Sequence, residues 1–407
     1  MADNEDMSTS HLLILDDGLG AWGPLTDLRP VFDLRTGAHT TRGRIEHIIG
    51  RRAEVLNVPA PLAALAQEEP GVTINGPLTP GDWLVVNGRW LGAAGREAVQ
   101  GLKPGQAVVQ EDGQLVALRL GITSAAQGLK LAVPDRASEV VRLAGRVLAE
   151  RPWHILDNLE ETLGYDLTHG LPAITDPLPA GVAQFGSHRF ILVNARLQPG
   201  VVLNCEAGPI RIEADVIVGA GSVLEGPCHI GAGTQLAAHT YIRPHTVIGP
   251  RCKVAGEISF SILQGSSNKA HYGYLGHSLV GQWVNLGAGT TVSNLKNTYG
   301  KVRVQLGPGE EPQDTGRVFQ GPIVGDYVRT AIGSRLLTGS CLATGTMLAL
   351  SGYAPKGSRP FGFYTDQTPD GAGHDPDKFL AVAKAMMARR HVAMSAALEA
   401  RLRDLMR

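Results

Sequence analysis

The sequence predicts a mixed α/β domain, then a parallel β-helix of hexapeptide repeats, then a short helical segment. Three observations carry this reading. An aliphatic residue returns at every sixth position from Ile212 to Val254. A strand-like apolar run at 12–17, LLILDD, opens a stretch in which strand and helix patterns alternate. Gly supplies 51 of 407 residues while aromatics are only 5%, an excess that asks for many tight turns.

The length suits two domains, and 43% hydrophobic with 18% charged residues suits chains that bury real cores. The net charge of −1 gives no electrostatic ground for a nucleic-acid partner or an anionic membrane. No apolar run reaches the roughly 18 residues of a membrane-spanning helix. Residues 1–11, MADNEDMSTSH, lack the basic and apolar parts of a signal peptide and read as a frayed, disordered tail, so a cytoplasmic protein is expected. Cys205, Cys228, Cys252 and Cys341 show no CxxC or CxxH spacing and read as small buried hydrophobes in a reducing compartment.

Residues 12–190 form the expected α/β domain. LLILDD is a buried strand, WLVVNGRWL (83–91) a hairpin about Asn87-Gly88, and QAVVQEDGQLVALRL (106–120) a second hairpin about Asp112-Gly113. DRASEVVRLAGRVLAE (135–150) has a helical apolar period, and a second helix follows Pro152.

The β-helix is expected over 191–355. Ile212, Val218, Leu224, Ile230, Leu236, Ile242, Ile248 and Val254 share one phase. An α-helix would turn successive sixes about 600° apart and scatter them round its surface. A three-sided coil instead points each one inward, stacked about 4.8 Å from its equivalent in the next coil. The phase breaks after Val254 and resumes near Val280 and Leu286. The polar stretch 294–320 cannot fit inside a coil and is expected as an external arm, after which Val324, Thr330, Leu336, Leu342 and Leu348 continue the pattern. Residues 356–407 are expected as a helical segment, with amphipathic helices over 375–407 and Arg389-Arg390 on a solvated face.

LDDGLGAWGPLTDLRPVFDLRTG (15–37) resembles the signature of sugar nucleotidyltransferases through Gly18, Gly20, Pro24, Leu25, Thr26, Arg29 and Pro30. The resemblance implies a nucleotidyltransferase-like fold, with Gly18, Gly20, Arg29 and Asp17 as nucleotide-binding positions and UTP and Mg²⁺ as ligands of an active domain. Ala21-Trp22 stand where the family has Thr-Arg, and Val31 where it has Lys, so cations that would stabilise transferring phosphate are missing. Two readings stay open: an altered nucleotidyltransferase, or a remodelled cap that no longer turns over nucleotide.

SNKAHYGYLGHSLVGQWVNLGAGTTVSNLKN (267–297; SNKAH begins at Ser267) resembles the acetyltransferase site of the bifunctional GlmU-type enzymes, in an alternative bacterial form of that family. Lys269-Ala270-His271, Tyr274-Leu275-Gly276, Asn285-Leu286-Gly287-Ala288-Gly289-Thr290 and Asn294 carry the match. The resemblance implies a left-handed β-helix, a homotrimer, and acetyl-CoA as co-substrate for N-acetylation of an amino-sugar phosphate such as glucosamine 1-phosphate, leading to UDP-N-acetylglucosamine. It implies His271 as the base that deprotonates the attacking amine, with Asn294 orienting it. Arg243, Tyr274, Asn285 and Lys269 become substrate-binding positions. Two departures put the acceptor in question: Ser259 replaces the family's phosphate-binding Lys, and Leu295 replaces a Tyr. Other readings kept open are a sugar nucleotidyltransferase only, a non-catalytic nucleotide-sugar-binding scaffold, and a His-ligated metal site, for which the spacing is wrong; no metal is expected.

Overall fold

A computed structural model describes residues 10–92, 94–123, 137–172 and 175–407. Most of the expected tail, residues 1–9, lies outside the described residues, and His11 already begins a strand. The chain divides into two compact units: residues 1–21 with 28–166, and residues 22–27 with 167–407.

The first unit is built on a seven-stranded sheet of β1 (His11–Leu15), β2 (Val55–Asn57), β3 (Thr73–Ile74), β4 (Gly81–Asn87), β5 (Gln106–Gln110), β6 (Leu115–Ile122) and β7 (Glu139–Leu143). The order is β3-β2-β1-β4-β6-β5-β7. β1 runs parallel to β2 and β4, while β6 is antiparallel to β4 and β5. Burial on both faces explains the continuous apolar run of β1. Leu12 and Ile14 join one core with Ile45 and Trp90, and Leu13 and Leu15 join another with Trp83 and Val85. A helix, Thr41–Ile49, is capped by Thr40, whose Oγ1 accepts from the Gly43 N–H at 3.1 Å.

Two expectations fail here. Residues 83–91 are not a hairpin: β4 ends at Asn87 and pairs with β6, and the Asn87 Oδ1 accepts from the Arg89 N–H at 2.9 Å to turn the chain. The expected helix over 135–150 is instead strand β7, paired with β5 from Gln106↔Glu139 to Gln110↔Leu143. β-Branched Val140 and Val141 suit that edge, and pairing overrides the helical period. The hairpin about Asp112-Gly113 forms as β5 and β6, and helices Pro152–Asp157 and Leu159–Thr168 follow Pro152.

The second unit is a parallel β-solenoid with three inward columns. Leu203, Leu224, Ile242, Ile258 and Leu275 stack in one, and Ile212, Ile230, Ile248, Leu263, Val280, Val324 and Leu342 in another. The third holds Leu197, Val218, Leu236, Val254 and then Lys269. The break in phase after Val254 is therefore not a break in the solenoid. The coils there are shorter, and one inward position is a lysine.

The stretch 294–320 leaves the stack as expected. Arg303–Val304 pairs antiparallel with Gln313–Asp314, and a Leu295↔Phe319 bridge closes the base. The arm folds back onto a later coil, where the Cys341 thiol donates to the Leu306 carbonyl. Residues 356–407 are only partly helical. Gly362–Thr365 extends the solenoid beside Met347–Ala349 and pairs with Thr368–Gly373 before helices Pro376–Ala388 and Ala396–Leu405. Phe379, Leu380, Ala383 and Met387 give the first of these its buried face, with Phe379 edge-on to Tyr327 at 6.0 Å. All four cysteines are buried free thiols, and no helix among the described residues is long and apolar enough to cross a membrane.

Candidate functional site

One face of the solenoid gathers most of the residues picked out by sequence. Strands Tyr241–Ile242, Glu257–Ser259 and Tyr274–Gly276 lie side by side in register, Tyr241↔Glu257↔Tyr274. Alternation turns Ile242, Ile258 and Leu275 inward and leaves Arg243, Ser259 and Tyr274 on the outer face. The Tyr274 ring lies along this face over Gly276, where a Cβ would stand 2.1 Å from the Tyr274 Oη. Only glycine allows that approach. The hydroxyl thereby reaches Asn294, whose Nδ2 donates to it at 3.0 Å. Burial, then the nearby Glu257, raises the Tyr274 phenol above its ordinary value, so it stays a hydroxyl.

Asn294 marks the base of the arm and is fixed by the Gln320 N–H donating to its carbonyl at 2.9 Å. Its Nδ2 also lies 2.8 Å from the His277 Nδ1. In the sequence His277, like His239 and His245, has a weaker claim than His271, yet it is the histidine that Asn294 links to Tyr274. It stands at a corner with φ +50°, stacked between Phe260 at 4.9 Å and Phe319 at 5.2 Å. Its signal in the sequence is the near-coil spacing of His245, Phe260 and His277, which lie at successive corners with left-handed φ.

His271 occupies the corner at the other end of the Tyr274–Gly276 strand and is exposed. Among the described residues its ring makes no hydrogen bond. Tyr272 beside it is 73% exposed. Lys269 departs from its expected role: it is 1% exposed, and its ammonium donates to the Ala255 carbonyl at 3.2 Å and the His271 carbonyl at 2.6 Å. The inward register turns it away from the outer face, so it holds the His271 corner instead of meeting a substrate. Burial pushes its pKa down to about 8. Asn285 is also apart from Tyr274 and Asn294. It lies on another face, where its Oδ1 accepts from Asn268 at 3.1 Å, and Arg390 donates to the Asn268 Oδ1 at 2.6 Å. Arg243 is paired with Glu257 at 3.3 Å on the surface.

In the first unit, the loop after β1 stands at the carboxyl end of a parallel strand, where α/β sheets bind ligands. Gly18 and Gly20 have φ +69° and +87°. Two of the loop's amides are engaged by its own carboxylates: the Asp16 Oδ1 accepts from the Gly18 N–H and the Asp17 Oδ1 from the Leu19 N–H, each at 3.0 Å. The Asp16 Oδ2 accepts from the Val31 N–H at 2.9 Å. Asp17 is clamped by Arg89, with Nη2–Oδ2 at 2.7 Å, and by Asn87 at 2.8 Å. Burial works against its charge, but the hydrogen bonds and charge of Arg89, with the Leu19 and Asn87 hydrogen bonds, together outweigh burial and hold the carboxyl below its ordinary value. Arg29 is buried, 8% exposed. In this arrangement Asp17 does not fit as a Mg²⁺ ligand, because both of its oxygens serve Arg89. Residues 22–27 pack within the second unit, where Thr344 donates to the Pro24 carbonyl at 3.4 Å and Arg401 to the Asp27 carbonyl at 3.0 Å.

Fold and sequence matches together define the class, a sugar nucleotidyltransferase-like α/β domain joined to a hexapeptide-repeat solenoid. Residues 12–170 match the sugar nucleotidyl transferase family, and residues 209–244 match the bacterial transferase hexapeptide repeat. Three curated relatives carry bifunctional names. The chain is 31% identical over 134 residues to the bifunctional sugar-1-phosphate nucleotidylyltransferase/acetyltransferase of Sulfurisphaera tokodaii, covering 32% of this chain and 33% of that protein. It is 31% identical over 160 residues to the bifunctional protein GlmU of Bifidobacterium longum, covering 37% and 34%. To the GlmU of Gloeobacter violaceus it is 33% identical over 133 residues, covering 31% and 29%. The chain thus spans about a third of the length of the curated relatives it matches.

Proposed function

We propose that the chain is an acetyl-CoA-dependent N-acetyltransferase of an amino-sugar phosphate of the glucosamine 1-phosphate type, feeding UDP-N-acetylglucosamine formation in the cytoplasm as a left-handed-helix homotrimer. The observation that carries this reading is the outer face running from His271 to Asn294, with the Tyr274 hydroxyl held on the Asn294 amide at 3.0 Å. Tyr274, Asn294 and Arg243 would hold the sugar phosphate. His271, exposed at the corner opposite Asn294, would take a proton from the amine as its nitrogen attacks the thioester carbonyl. The N–C bond forms, the C–S bond breaks, and CoA leaves as the thiol. Lys269 supports the step from behind by fixing the His271 carbonyl.

The test is acetyl transfer from acetyl-CoA to glucosamine 1-phosphate by the full chain and by His271→Ala. A general base contributes about a hundredfold or more, so the variant should lose at least that factor in kcat. Unchanged turnover removes His271 from the mechanism.

For the first unit, the self-engaged loop with Asp17 clamped by Arg89 speaks against turnover and leaves a non-catalytic nucleotide-sugar-binding role as the alternative. The similarity to nucleotidyltransferases favours uridylyl transfer from UTP. Pyrophosphate release from UTP, N-acetylglucosamine 1-phosphate and Mg²⁺ decides for turnover. UDP-sugar binding without pyrophosphate release decides for the binding role.

A further inference from the structure

We propose that His277 is an Nε2–H hydrogen-bond donor to an anionic phosphate-type oxygen of the bound acceptor, acting beside Arg317 of the arm. The identity of the acceptor rests on the acetyltransferase reading above. The donor itself rests on the geometry of the corner.

His277 is sandwiched, with ring centroids 4.9 Å from Phe260 at 12° and 5.2 Å from Phe319 at 22°. Both faces of the imidazole are covered, so only its edges can meet a ligand. One edge carries Nδ1, which lies 2.8 Å from the Asn294 Nδ2. An amide nitrogen donates and does not accept. The same Nδ2 gives its other hydrogen to the Tyr274 Oη at 3.0 Å. Nδ1 therefore accepts, and the ring proton sits on Nε2. Protonating Nδ1 would turn two donors against each other. Burial, then the charges of Arg317 and Arg243, push the His277 pKa down to about 4, so the ring is neutral near pH 7. A neutral ring of this kind is a poor base at its engaged nitrogen and a fixed donor at the other.

Arg317 is tied to both aromatic neighbours of His277. Its Nε donates to the Phe319 carbonyl at 3.1 Å, and its guanidinium carbon is 5.9 Å from the Phe260 ring centre. An oxygen reaching the open edge of His277 enters the field of Arg317 first and then of Arg243, whose charge is shared with Glu257, and this favours an oxyanion over a neutral hydroxyl. The arm thus brings a cation to the Phe260 corner, on the coil that carries Ser259 and no cation at that outer position.

His277→Phe separates this role from simple stacking. It keeps a ring between Phe260 and Phe319 and removes both nitrogens. Phe260 already adopts φ +46° one coil away, so the corner accepts Phe. Expected in ¹⁵N spectra of the full chain at pH 7 are an unprotonated Nδ1 and a protonated Nε2. The Nε2 signal should shift on titration with inorganic phosphate and with glucosamine 1-phosphate, but not with CoA. In acetyl-transfer assays His277→Phe and Arg317→Met should each raise the acceptor KM about ten- to hundredfold, with the acetyl-CoA KM unchanged. A protonated Nδ1, an Nε2 signal indifferent to phosphate, or a wild-type acceptor KM in His277→Phe overturns the proposal. A shift with CoA alone assigns the donor to the phosphates of CoA and also overturns it. If the wild-type chain fails to acetylate glucosamine 1-phosphate, the acetyltransferase reading falls, while the phosphate titration of Nε2 still decides for or against the donor.

Discussion

Replacing Lys269 with Met removes a cation from an inward column whose preceding members are Leu197, Val218, Leu236 and Val254. The side chain is 1% exposed, and burial takes its pKa from 10.5 to about 8. At 1.36 kcal/mol per pKa unit, the folded chain bears a cost of about 3 kcal/mol for keeping the ammonium charged. Between pH 8 and 10.5 the unfolded chain holds the proton and the folded chain has released it. The unfolded state therefore binds more protons, and stability rises with pH across that window. Below pH 8 both states are charged and the full cost remains. Met has similar length and no charge, but it abandons the hydrogen bonds to the Ala255 and His271 carbonyls, worth about 1 kcal/mol each. Lys269→Met should thus be more stable than wild type by about 1 kcal/mol at pH 7, and should lose that advantage by pH 10.5. The assay is urea unfolding followed by far-ultraviolet circular dichroism at intervals from pH 7 to 10.5. Wild-type and variant stability curves that run parallel across the window would refute the argument.

Three further perturbations read other parts of the chain. Asp17→Ala strips the carboxylate from Arg89, whose side chain is fully buried, and should destabilise the first unit by about 3 kcal/mol; a loss below about 1 kcal/mol in urea unfolding contradicts the clamp. Gly276→Ala places a Cβ where the Tyr274 hydroxyl lies, and should cut kcat/KM for acetyl transfer about tenfold through loss of the Asn294 contact, whereas a wild-type value shows that contact to be idle. Glu213 is held down to about 2: burial opposes its charge, but the hydrogen bonds and charges of His229 and Arg211 together outweigh it. Its depressed pKa makes its contribution present above pH 4.5 and lost as pH falls toward 2, so Glu213→Gln should flatten the wild-type decline by about 3 kcal/mol across that window, as seen in acid-unfolding curves.

The inward columns were legible because an aliphatic side chain recurs wherever the coil keeps its length. They became illegible past Val254, where coils shorten and Lys269 takes an aliphatic place. The strand β7 is not legible in the sequence because Val140, Val141 and Leu143 satisfy a helical period as well as a strand, and only the partner β5 decides between them. At the site, Arg243, Tyr274 and Asn294 were legible as motif members, but the motif holds Asn285 and Lys269 in the same line of text although the coil sends them to another face and to the interior. His277 reads in the sequence as a weaker candidate than His271 for the opposite reason. Its partners Phe260, Asn294 and Phe319 are far apart in sequence, and the length of a coil and the return of the arm bring them to one corner.

The arm leaves after Asn294 and the chain rejoins the stack so that Leu279 and Val280 pair directly with Ile323 and Val324. Position along the solenoid axis is therefore counted in coils, while position along the chain is counted in residues, and the two scales come apart at this point. Residues added or removed at the hairpin tip alter no rung of the stack, which makes the tip a natural graft point for a new loop. Inside the stack, coils differ in length only where a corner absorbs the difference, as between Val254 and Lys269, and a residue deleted within a strand has no such corner to absorb it and turns an aliphatic side chain outward.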